Sequence, residues 1–135
     1  MLRVVIADDS DAVRVRVREL VSEVENVAIV GEASDGSEAL ELVESLRPDV
    51  LILDIRMPNT NGIQTLETLR RSEATAATMV LTSFPNRQYR DRCLQAGAAY
   101  FFDKATEFER VAEVLEQLTS DGATTSLSPT GSAAG

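Results

Sequence analysis

The chain has 135 residues, 44% of them hydrophobic, which suits one domain with one full core. Its formal net charge of -9 repels phosphodiester backbones and anionic lipid surfaces, and no stretch nears the roughly 20 apolar residues of a bilayer span, so neither direct nucleic-acid binding nor membrane insertion is expected. One cysteine, Cys93, forbids an internal disulfide, no secretory signal opens the chain, and histidine is absent, which leaves a cytoplasmic protein whose chemistry runs on carboxylates, hydroxyls and lysine.

Leu2 to Ala7 reads as a short apolar strand followed by Asp8-Asp9. Ser10 or Asp11 can cap a helix from about Ala12 to Val24. Val13, Val15 and Val17 alternate with arginines as in a strand, but Val13, Val17, Leu20, Val21 and Val24 keep helical spacing over a longer window, and length decides for helix. A second strand spans Val27 to Gly31. A second helix spans Ser37 to Leu46, with Ala39, Leu40 and Val43 inward and Pro48 stopping it at Arg47.

The third strand, Val50-Leu51-Ile52-Leu53, is unbroken in its apolar character, as a parallel strand covered on both faces must be. It delivers Asp54 to its tip, ahead of the turn-like Asn59-Thr60-Asn61-Gly62. A helix from about Ile63 to Arg71, a strand from Met79 to Ser83, a helix from about Asn86 to Gln95 ended by Gly97, and a strand from Ala98 to Phe102 follow. The last helix, about Thr106 to Leu118, sets Phe108, Val111, Ala112 and Leu115 at i, i+3, i+4 and i+7.

Five strands alternating with five helices predict an α/β fold, a doubly wound five-stranded parallel sheet in the flavodoxin-like order 2-1-3-4-5 with helices on both faces. Residues 1–119 make this domain. Residues 120–135, rich in Ser, Thr, Gly and Ala, lack periodicity and are expected to be a disordered tail.

In that order strands one, three, four and five are neighbours, and their carboxyl ends carry Asp8-Asp9, Asp54, Thr82 and Lys104 around one crevice. Like charges about 4 Å apart repel by roughly 4 kcal/mol at an effective dielectric near 20, so three acids together imply a cation. Hard oxygen donors without His or Cys point to Mg²⁺ or Mn²⁺. Lys104 as a point charge and Thr82 as a donor then suit phosphoryl oxygens.

With these residues in this order, the chain resembles the response-regulator receiver domains of two-component signalling, single-domain type, over about residues 1 to 119. The resemblance implies that Asp54 accepts a phosphoryl group from a sensor histidine kinase, a histidine phosphotransfer protein or a small phosphodonor. It implies that Asp9 ligates Mg²⁺ with Asp54 and the backbone carbonyl of Arg56, Asp8 helping through water, and that Thr82 and Lys104 bind the phosphoryl group. Phe101 becomes the switch aromatic that turns inward, and Val15 and Arg18 on the first helix become kinase-docking contacts. Such a protein is no turnover enzyme but catalyses its own phosphorylation and dephosphorylation, and it signals through a downstream protein target, with a phosphorylation-dependent dimer admitted.

The family commonly has proline after the strand-five lysine, where this chain has Ala105; a cis bond there would cost about 2.5–4 kcal/mol, so a trans peptide and a differently shaped approach to the last helix are expected. Arg56 and Phe84 stand where the family tunes dephosphorylation, and Phe84 is placed to shield Asp54 from water. Two other readings stay open. Asp9-Ser10-Asp11-Ala12-Val13 matches the Asp-x-Asp-x-Val signature of haloacid-dehalogenase-like phosphatases, with Asp9 and Asp11 as the working acids, although only Asp103 is available as their later acidic residue. The other is a pseudo-receiver that acts only as an interaction module.

Overall fold

The computed structural model describes residues 1–55 and 61–123. In β1 (Leu2–Ala7), Val4 and Ile6 point to one side of the strand and Val5 and Ala7 to the other, and none is more than 1% exposed. β3 (Val50–Leu53) behaves alike, Val50 and Ile52 opposing Leu51 and Leu53. A strand apolar on both faces requires a layer on each, and the chain supplies two. Val17, Val21, Val111, Val114 and Leu115, from α1 (Asp11–Ser22) and α5 (Arg110–Ala123), cover one face. Ala39, Val43, Leu66, Leu69 and Cys93, from α2 (Gly36–Leu46), α3 (Gly62–Arg71) and α4 (Arg87–Gln95), cover the other.

With β2 (Val27–Ala33), β4 (Ala77–Thr82) and β5 (Tyr100–Asp103), the strands form one parallel sheet in the order β2-β1-β3-β4-β5. This is the flavodoxin-like order, and its direction reverses between β1 and β3, which opens a crevice at their carboxyl ends. The helix starts follow from local chemistry: Ser10, Asp35, Asn61 and Asn86 each accept the backbone N–H three residues on, each such cap contributing about 1 kcal/mol. Gly97, at φ 119°, turns the chain out of α4 where an L side chain would be strained. No helix among the described residues is long and apolar enough to cross a membrane.

The last helix departs from its predicted bounds. It starts at Arg110, four residues late, because residues 104–109 make turns held by Asp103 and Glu107, whose carboxylates bind nearby backbone N–H groups in place of helical carbonyls. Phe108 therefore lies ahead of the helix with the Arg16 guanidinium 4.3 Å from its ring centroid, and Val114 joins Val111 and Leu115 as the buried face. The helix runs on to Ala123, beyond Leu118 and into the stretch read from sequence as tail. Cys93 is fully buried, and burial pushes its thiol up to about 11, as fits a packing residue.

Edge strand β2 is tied to α1 by charge. Glu32 accepts from Arg18 Nε at 2.8 Å and Nη2 at 3.1 Å, and Arg14 Nε lies 3.4 Å away. The Arg18 hydrogen bond outweighs partial burial and holds the Glu32 carboxyl below its ordinary 4.5. A carboxyl depressed in the fold adds stability above its unfolded value, and the gain is lost as pH falls through the folded value. Glu32→Gln should therefore lower the urea midpoint modestly near neutral pH, with the gap from wild type closing on acidification below 4.5. A gap that persists unchanged into acid would mean the ion pair contributes nothing.

Candidate functional site

The sheet ladder continues one residue past each of two strand tips and so fixes two acids by their backbones. Asp8 N donates to Ala33 O at 3.0 Å and Asp54 N donates to Ala7 O at 2.9 Å. Both side chains are buried, Asp8 at 3% and Asp54 at 6% exposure, while Asp9 beside them is exposed. One carboxylate oxygen from each of Asp8, Asp9 and Asp54 lies within 4.8 Å of the others. Lys104, one residue beyond β5, reaches into this group, its Nζ 2.8 Å from Asp8 Oδ2 and 3.2 Å from Asp54 Oδ2. Burial alone would favour the neutral amine, but the Asp8 hydrogen bond and the charges of Asp54 and Asp8 prevail and hold the ammonium above the ordinary lysine value.

Among the described residues one ammonium faces three carboxylates, too few positive charges to balance them this close. Pairwise repulsion is on the order of 4 kcal/mol at 4 Å and an effective dielectric near 20, so two further positive charges are called for. A divalent cation brings two, and the donors suit one. All are hard oxygens, and two oxygens on a single octahedral Mg²⁺ can lie up to about 4.2 Å apart, within a small side-chain adjustment of the spacing found. Asp8, Asp9 and Asp54 thus form a cluster able to hold a metal ion.

The other residues expected here divide. Thr82 sits fully buried at the tip of β4; its carbonyl accepts Lys104 N at 2.8 Å and its Oγ1 accepts Phe84 N at 3.0 Å. Phe84, half exposed, lies two residues on, and Phe101 is already inward at 8% exposure. Arg56 falls outside the described residues. On α1, Val15 is exposed, while Arg18 is engaged with Glu32. Asp11, the second acid of the phosphatase signature, stands apart from the carboxylate cluster: its side chain is 88% exposed and ion-paired to Arg14.

Sequence reasoning missed Arg14. Its guanidinium donates to the backbone carbonyl of Asp8 and to Asp11, and its Nε faces Glu32, bracing the loop that carries the acid pair. The available signal was its place in the first turn after the Ser10 cap, from which a long side chain reaches back over that loop. It also passed over Glu107, and it read Asp103 only as a later acid of the phosphatase signature.

Residues 4–116 match the response regulator receiver domain family. The chain is 34% identical to Protein CcdB of Bacillus subtilis, the match covering 87% of this chain and 98% of that one. It is 30% identical to the response regulator GacA of Pseudomonas aeruginosa over 87% of this chain but only 55% of GacA, so it spans about half the length of that relative. In three dimensions it is similar to the signal receiver domain of a NarL response regulator from Mycobacterium tuberculosis, with a TM-score of 0.79 and 37% identity over 85% of this chain and 94% of that one. The family match covers residues 4–116 of the 135, and the chain belongs to the response regulator receiver domain family.

Proposed function

We propose that the protein is a phosphoacceptor of a two-component phosphorelay, working in the cytoplasm through residues 1–119, with Asp54 as the residue that carries the phosphoryl group. The observation that carries this reading is the Lys104 ammonium, 2.8 Å from Asp8 and 3.2 Å from Asp54, beside three carboxylates that lie within 4.8 Å of one another. Asp54 Oδ attacks the phosphorus of a phosphohistidine on a sensor kinase or phosphotransfer protein, the phosphorus–nitrogen bond breaks, and the departing imidazole keeps the electron pair. The product is an acyl phosphate on Asp54. Little covalent work falls to the protein, which positions the groups and offsets charge.

Lys104 meets a phosphoryl oxygen as a point charge without leaving its place beside Asp54. Thr82 Oγ1 accepts from Phe84 N, so its own hydroxyl proton is available to a second phosphoryl oxygen. Asp8, Asp9 and Asp54 would hold a Mg²⁺ or Mn²⁺ ion, which would supply the positive charge that three acids require and that offsets the charge developing in transfer. Output passes to a protein target, because a surface this acidic disfavours nucleic acid. Incubation with acetyl phosphate and Mg²⁺ should add one phosphoryl group that hydroxylamine removes; labelling that survives chelation of the metal, or resists hydroxylamine, would sink the proposal.

A further inference from the structure

Ala105 follows Lys104 without the ring that fixes φ in a proline, and all described peptides are trans, yet the turn that carries the lysine is held at the amides of Asp103, Lys104, Ala105 and Glu107. Asp103 N donates to Glu107 Oε1 at 3.0 Å, Lys104 N donates to Thr82 O at 2.8 Å, and Ala105 N donates to Asp103 Oδ1 at 2.8 Å. Glu107 N closes the loop on Asp103 O at 2.8 Å. The second Glu107 oxygen is taken by Arg110 Nη1 at 3.1 Å, and that guanidinium lies 5.2 Å from the centroid of the Phe102 ring, next to Asp103 in β5. Glu107 is therefore clamped at both oxygens, and it clamps the residue before the lysine.

We infer that Asp103 and Glu107 are positioning residues, a carboxylate latch that fixes the Lys104 backbone so that its ammonium meets the phosphoryl group on Asp54. The inference rests on the proposed function for its chemistry and on the hydrogen bonds above for its geometry. A misplacement of about 1 Å at a reacting centre can cost on the order of 100-fold in rate, and a lysine on a loosened turn has that freedom.

Labelling rates with acetyl phosphate at saturating Mg²⁺ test this, alongside hydrogen exchange at the Asp103 and Ala105 amides. Glu107→Ala should slow labelling about 10- to 100-fold and speed exchange at Asp103, whereas Glu107→Gln keeps an oxygen for that amide and should restore most of both. In a Lys104→Ala background, Glu107→Ala should have almost no further effect on rate, because the latch acts through that lysine. Wild-type rate in Glu107→Ala despite fast exchange would overturn the inference, as would Glu107→Gln no better than alanine, or an undiminished effect without Lys104. A wild-type chain that takes no label, with both amides still protected, would instead bring down the proposed function and this inference with it.

Discussion

Asp54→Asn is expected to abolish labelling by acetyl phosphate and to leave the fold at least as stable as wild type when no divalent cation is added. The amide keeps the shape of the side chain and the backbone bond to Ala7 O but has no carboxylate to attack phosphorus. The stability half of the expectation comes from charge. Among the described residues Asp54 lies near two carboxylates and one ammonium, and each pair at about 4 Å is worth on the order of 4 kcal/mol at an effective dielectric near 20, so without a metal two repulsions stand against one attraction. Lys104 keeps its 2.8 Å contact to Asp8 in the variant, so no buried cation is orphaned. Mg²⁺ reverses the order. An ion that binds only the folded chain stabilises it by about 2.7 kcal/mol at 100 times its dissociation constant, and the variant, short of one ligand, gains less. Urea unfolding with and without Mg²⁺ checks the stability, and intact mass checks the label; full labelling of Asp54→Asn would place the acceptor elsewhere.

The parts of this site that are legible in the sequence are those fixed by local patterns. Val50 to Leu53 could only be a strand covered twice, and so Asp54 could only be at its tip. Ser10 announces a helix because its side chain satisfies an orphan N–H group wherever the tertiary structure places it. What stayed hidden depends on contacts across the chain. β4 begins at Ala77 because Val50 pairs with it, and β5 ends at Asp103 because Thr82 does, and neither register is written in a local period. Arg14 braces the Asp8 carbonyl and Glu32 ties α1 to the edge strand through side chains that no spacing rule brings together. The late start of α5 is a contest between helix and side-chain-to-backbone bonds, which Asp103 and Glu107 win only because β5 already fixes one of them.

Gly62→Ala tests how firmly Asp54 is held from behind. Gly62 opens α3 after the Asn61 cap, and a Cβ there would sit 2.3 Å from both Cγ1 and Cδ1 of Ile55 and 2.7 Å from the Ile55 carbonyl oxygen. Alanine would otherwise be the better helix residue by up to about 1 kcal/mol. That gain is smaller than the crowding. Ile55 is 1% exposed and packed in the layer beneath α2 to α4, so its side chain has little room to swing, and its backbone oxygen moves only with the chain. Overpacking of this kind costs about 1–3 kcal/mol, with the backbone clash arguing for the upper end, so a net loss of about 2 kcal/mol and a melting temperature lower by several degrees are expected. The chain relieves the contact by moving α3 or Ile55, and Ile55 is bonded directly to Asp54. Labelling measured well below the melting temperature should then fall even though every carboxylate and the lysine remain. Wild-type stability in Gly62→Ala would show that Ile55 yields without strain; lost stability with an unchanged labelling rate would show that Asp54 is anchored by its bond to Ala7 alone.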